Sequence, residues 1–133
     1  MKIQINMTDT ECDLGRFSSR EDLKKLLQGF DGLELMHLEE DHRGIISNDM
    51  VVGYHTSFPQ YWLDFRNMDT ERLLLEFDSM DQAYAYYGGK DGDALIKKVR
   101  CEYERAISYG AEYMVFHVSD ASSREEIDRK SVV

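Results

Sequence analysis

The feature that most constrains the fold is an alternation: short apolar runs of two-residue period recur between longer stretches whose apolar residues fall at helical spacing. "MKIQINMT" opens with Ile3 and Ile5 alternating against Gln4 and Asn6 and stops in the polar cluster Thr8-Asp9-Thr10, which predicts a first strand. In "FSSREDLKKLLQGFDG", Ser18 and Glu21 make a capping-box pattern, and Leu23, Leu26, Leu27 and Phe30 recur at i, i+3, i+4 and i+7. That spacing predicts an amphipathic helix ending near Gly29 to Gly32. "GLELMHL" gives a second strand, with Leu33 and Leu35, extended by His37, on one face and Glu34 and Met36 on the other; "MVVGYHTSF" gives a third.

The connection to the fourth strand is long. Residues 59–68, "PQYWLDFRNM", hold the only proline and the only tryptophan and show no clean period, so they read as an aromatic loop. "DTERLLLEFDSMDQAYAYYGG" reads as one or two short helices stopped by Gly88-Gly89. Asp93 then caps a longer helix whose buried stripe is Leu95, Ile96, Val99, Tyr103, Ala106 and Ile107, ended by Gly110. "AEYMVFHVSD" follows as the fourth strand, a near-continuous apolar run suited to cover on both faces, and "SSREEIDRKSVV" repeats the helix-start signal at Ser122 and Glu125. The order β-α-β-β-(α)-α-β-α over 133 residues predicts a single α/β domain spanning 1–133, with parallel strands and right-handed crossovers.

Composition narrows the function classes. A formal charge of −10 disfavours a nucleic-acid partner, because such binders draw their affinity from clustered Lys and Arg. No apolar run approaches the ~20 residues that cross a bilayer, so no membrane partner is expected. Cys12 and Cys101 are far apart and lack CxxC spacing, and no secretory segment opens the chain. A cytoplasmic protein with free thiols is the expectation.

In parallel α/β sheets ligands bind at the carboxyl ends of the strands. Four candidates stand there: Asn6, the Glu34/His37/Glu39 group, His55 and His117. Two histidines just past the apolar part of successive strands, with Asp120, Glu39 and Asp41 nearby in sequence, suit imidazole and oxygen ligation of a divalent metal. One imidazole could instead move a proton. A lone histidine at a strand end is more often structural; two at equivalent ends weigh the readings evenly. Tyr61, Trp62 and Phe65 could wall a sugar pocket, but the commoner reading is that they cover the end of the sheet, since loop aromatics usually pack. "GGKDGD" fits neither phosphate-loop pattern. Cys101, near the helix stripe, reads as core.

"DGLELM", "VVGYHTSFPQYWLDF", "YYGG" and "YERAISYGAEYMVFHVSD", in that order, resemble the first half of the xylose-isomerase-like TIM barrels. That superfamily includes sugar-phosphate isomerases and epimerases and the zinc-dependent abasic-site endonucleases. A-x-x-x-G-A-x-x-x-V-F-H from Ala106 to His117 resembles the passage from helix three to strand four, and G-x-H-x-x-F at 53–58 the end of strand three. The resemblance implies a parallel four-stranded half of a (β/α)8 barrel, completed by oligomerisation. It implies catalytic roles for Glu34, His55 and His117, with His55, His117 and Asp120 holding zinc, manganese or magnesium. The implied activity is metal-assisted proton transfer on a small sugar or sugar phosphate.

A full barrel takes ~250 residues, and the resemblance implies that most of the metal ligands come from strands five to eight. Three expectations follow: a fragment inactive alone, a half-barrel that self-associates as a homodimer or higher oligomer, or an open-sheet binding module. A metal-dependent endonuclease-like phosphodiesterase would share both histidines but fits the acidic balance poorly.

Overall fold

Four short strands, β1 (Gln4–Thr8), β2 (Gly32–Met36), β3 (Val51–His55) and β4 (Tyr113–Val115), pair in parallel in the order β1-β2-β3-β4. The computed structural model describes residues 2–57 and 61–116. The α/β class and the parallel sheet read from the alternation are what the chain forms. Strand order follows chain order, without the reversal that marks a doubly wound sheet. Elements divide between two compact units, one with residues 2–57 and 101–116, the other with 61–100 of the described chain.

The first unit holds the sheet. Register alternates its faces: Ile5 pairs with Leu33 and Met7 with Leu35, while Asn6, Glu34, Gly53 and Tyr113 form one row across all four strands. On the apolar face Met7, Leu14, Leu23, Leu33, Ile45 and Met50 make a buried cluster, with Ile5, Phe17, Leu27 and Ile46 against it. Each of its large aliphatic side chains contributes about 1.5–3 kcal/mol through burial. Leu14 comes from α1 (Glu11–Leu14) and Leu23 from α2 (Arg20–Leu26). The cap of α2 is Ser19, which accepts from the Asp22 amide; Ser18 bonds the Asp22 carboxylate instead. This helix closes at Leu26, so Leu26 and Phe30, expected on its buried stripe, are exposed.

The long helix α6 (Gly92–Ser108) forms where expected, but turned about its axis. Ile96, Tyr103 and Ile107 are 59–62% exposed, whereas Glu102 and Ala106 are buried. A buried carboxylate sets this rotation: Tyr54 donates to Glu102 Oε2 at 2.5 Å, Ser57 donates to Oε1, and Tyr109 stacks on Tyr54 at 6.2 Å. Cys101, read as core, is exposed beside Glu102. Burial and the neighbouring Glu102 carboxylate push the Tyr54 phenol well above its ordinary range, so it stays a donor.

In the second unit the "YWLDFR" stretch, expected as loop, forms α3 (Trp62–Arg66), followed by α4 (Thr70–Leu73) and α5 (Met80–Tyr87). Trp62 and Phe65, one turn apart, are both buried, and that pair is enough to make a five-residue helix worthwhile. Tyr87 gathers the rings: Phe65 stacks on it at 4.2 Å, while Trp62 and Phe77 meet it edge-on at 5.6 and 6.0 Å. Trp62 and Phe65 therefore pack on Tyr87 within the second unit. Gly88, at φ +83, caps α5 in the left-handed conformation, which strains any residue with a Cβ even though the space there is open. Asp91 rather than Asp93 accepts the Ala94 amide at the start of α6.

Candidate functional site

The face of the sheet opposite the apolar cluster is polar. Gln4 and Glu34 are half-buried and Asn6 is exposed. Tyr113 extends from β4 over Gly53, where an added Cβ would lie 2.2 Å from the ring. Its hydroxyl lies 2.7 Å from Glu34 Oε2 and 2.6 Å from the atom placed as Gln4 Oε1. A phenol has one proton, and an amide can turn to present either oxygen or nitrogen. The consistent arrangement has Gln4 donating to Tyr113 and Tyr113 donating to the Glu34 carboxylate. Burial and the Glu34 bond push the Tyr113 hydroxyl above the ordinary phenol range, against the pull of Gln4. The phenol thus stays protonated and holds Glu34 in one orientation.

At the carboxyl end of the sheet the same 28-residue offset that pairs Ile5 with Leu33 brings Asp9 beside His37. Asp9 is 2% exposed. Its Oδ1 accepts from the amides of Leu38 at 2.7 Å and Glu39 at 2.8 Å, and its Oδ2 from Nδ1–H of His37. Burial pushes the Asp9 carboxyl up, but the His37 bond, the two amides and the attraction of His37 outweigh it, so the group sits below its ordinary range. The carboxylate is therefore ionised throughout the neutral region.

His55 ends β3 on the row of Thr8, Met36 and Val115. It donates from Nδ1 to the Thr56 carbonyl at 2.7 Å, which makes Nε2 the lone-pair nitrogen of the neutral ring. Beside Asp9 opens a cleft of 310 Å³ lined by Glu11, Leu14 and residues 39–43. Five of its lining groups are carboxylates. Its arginine, Arg43, is engaged by the Leu14 and Phe17 carbonyls at 2.7 and 2.9 Å. Such a mouth repels anions and suits neutral or cationic ligands.

Of the residues singled out from sequence, Glu34 and His55 stand on adjacent strands of the open side of the sheet, and His117 and Asp120 lie outside the described residues. Among the described residues no three His, Cys, Asp or Glu side chains converge as metal donors, and His55 alone of the expected donor set falls within them. Sequence reasoning missed Gln4, Tyr113 and Asp9. Period-two reading had put Gln4 on the face opposite Ile5; register then makes it a neighbour of Glu34. Asp9 had registered only as a turn residue. No helix among the described residues is long and apolar enough to cross a membrane. Comparison of the chain with protein-family models, with curated proteins and with solved structures gives no match.

Proposed function

We propose that this chain is a sugar-handling protein of the xylose-isomerase-like barrel type, acting by proton transfer on a small sugar bound over the open face of its sheet. The observation that carries this reading is the row Asn6–Glu34–Gly53–Tyr113, with Gln4 beside it: amide, carboxylate and phenol groups, one of them a fixed carboxylate, on a parallel sheet in chain order. Hydroxyl-rich ligands are recognised by this mixture of donors and acceptors next to an aromatic ring. The acidic lining of the neighbouring cleft favours a neutral sugar over a sugar phosphate, and weighs against a phosphodiesterase acting on DNA. A divalent zinc, manganese or magnesium ion belongs to the same reading, with His55, His117 and Asp120 as donors and carbonyl polarisation as its contribution. Free, exposed Cys12 and Cys101 support its cytoplasmic part.

Ligand-observed NMR with neutral pentoses and hexoses tests the proposal. Saturation transfer to a neutral sugar that is lost in Glu34→Gln and Tyr113→Phe supports it; no transfer to any sugar from the folded wild-type protein overturns it.

A second reading, self-association, is favoured by the two outer strands. Among the described residues β1 and β4 each pair on one side only, and unpaired edges invite a second copy. Light scattering that returns a dimer or higher species supports this; a monomer at high concentration sinks it.

A further inference from the structure

His37 has the attributes of a proton-transfer group, and they come from its surroundings. Its Nδ1–H is bonded to Asp9, a carboxylate that is 2% exposed and anchored by two main-chain amides. The imidazole side chain is 16% exposed. Its Nε2 has no hydrogen-bond partner among the described residues, and the partial exposure of the side chain leaves the ring within reach of solvent. A neutral imidazole with Nδ1 protonated presents its lone pair at Nε2, and a fixed carboxylate behind Nδ1 stabilises the cation that forms when Nε2 takes a proton. His55 donates from Nδ1 to a main-chain carbonyl, whereas His37 donates to a carboxylate. The register places His37 one residue beyond the Met36–His55 rung, at the end of the sheet where loops converge.

We infer that His37 Nε2 is a proton-transfer atom at the carboxyl end of the sheet, with Asp9 as its positioning residue; the inference rests on the sugar reading above for its substrate. Nε2 takes the proton from the carbon next to the carbonyl of an open-chain sugar, leaving an enediolate, and returns it to the former carbonyl carbon. The hydroxyl proton of the first carbon passes to the carbonyl oxygen. An aldose thus becomes a ketose with no net gain or loss of protons or electrons.

Two measurements on the full chain separate the pair from its substrate. The first is ¹⁵N NMR of the histidine rings. Neutral His37 should carry its proton on Nδ1 in the wild-type protein. In Asp9→Asn the new amide can keep the Leu38 and Glu39 bonds through its oxygen but turns its NH2 towards His37. The ring should then switch tautomer and place its proton on Nε2. A wild-type His37 protonated on Nε2, or no switch in Asp9→Asn, overturns the inference whatever the substrate.

The second measurement follows hydrogen-to-deuterium exchange at the carbon next to the carbonyl of neutral aldoses and ketoses in D2O. Exchange by the wild-type protein should fall by about 10²-fold or more in His37→Gln. In Asp9→Asn the exchange rate should fall with the half-saturating sugar concentration unchanged. Exchange that persists in His37→Gln overturns the inference. If the wild-type protein exchanges no sugar, the isomerase reading fails and proton transfer on a sugar by His37 fails with it. The tautomer measurement then decides separately whether Asp9 and His37 form the oriented pair.

Discussion

The two faces of the sheet are built from the same strands and do opposite work. One presents Met7 and Leu33 to α1 and α2 in a cluster closed to water. The other presents Gln4, Asn6, Glu34 and Tyr113, none of them fully buried and three of them tied by hydrogen bonds. Stability therefore resides on the first face, because burial rewards apolar area, while the second keeps polar groups within reach of solvent. Most side chains on either face can be changed with little effect on the other.

The largest contrast comes from a pair of alanine substitutions. Leu33→Ala, at a fully buried position, should cost about 2–5 kcal/mol, whereas Asn6→Ala on the open face should stay within ~0.5 kcal/mol, both read from urea unfolding by circular dichroism. Equal effects would break the comparison. Next is Glu102, the buried acceptor behind the apolar face. Glu102→Ala removes the acceptor of the buried Tyr54 hydroxyl and of Ser57 and should destabilise by about 1–3 kcal/mol. Glu102→Gln keeps one acceptor oxygen and should cost less in the same assay.

A smaller effect sharpens the picture of the open face. Tyr113→Phe should cost about 1 kcal/mol in the wild-type background. Gly53→Ala places a Cβ in the space of the Tyr113 ring and should move that ring off Glu34. In the Gly53→Ala background Tyr113→Phe should then cost nothing further, a coupling that a double-mutant cycle reads directly.

The smallest effect appears only in acid. The Asp9 carboxyl lies below its ordinary range in the folded chain. Its contribution is therefore complete above the unfolded value near ~3.9 and is lost as pH falls from there through the lower folded value. Between about pH 4 and the acid transition, Asp9→Asn should lose stability less steeply than the wild-type protein in pH-dependent urea melts.

Much of this was legible in the sequence. The four strands, the α5 stop at Gly88 and the extent of α6 came from period, capping and glycine position, which are local signals. Helix α3 was not, because two buried aromatics one turn apart give too little pattern to reveal a period. The rotation of α6 was hidden for the opposite reason: Glu102 is charged, and a periodicity reading assigns charged residues to the outside. At the candidate site Glu34 and His55 were visible as polar residues on apolar runs. The bond from Asp9 to His37 was not, since the two are 28 residues apart and meet only once the β1–β2 register is known. The reach of Tyr113 depended on Gly53 lying beneath it, a relation between strands that no single segment encodes.

The position of Tyr113 also bears on how the chain assembles. The β1 and β4 strands are not neighbours in the sheet, yet its hydroxyl ties β4 to Gln4 across 109 residues of chain. A contact of that span needs nearly the whole loop to close before it can form. The expectation is that it forms late, after the nearer strand pairings. Tyr113→Phe should quicken unfolding in stopped-flow measurements and leave the folding rate almost untouched. On that expectation the phenol that orients Glu34 is also the latch that closes the sheet last.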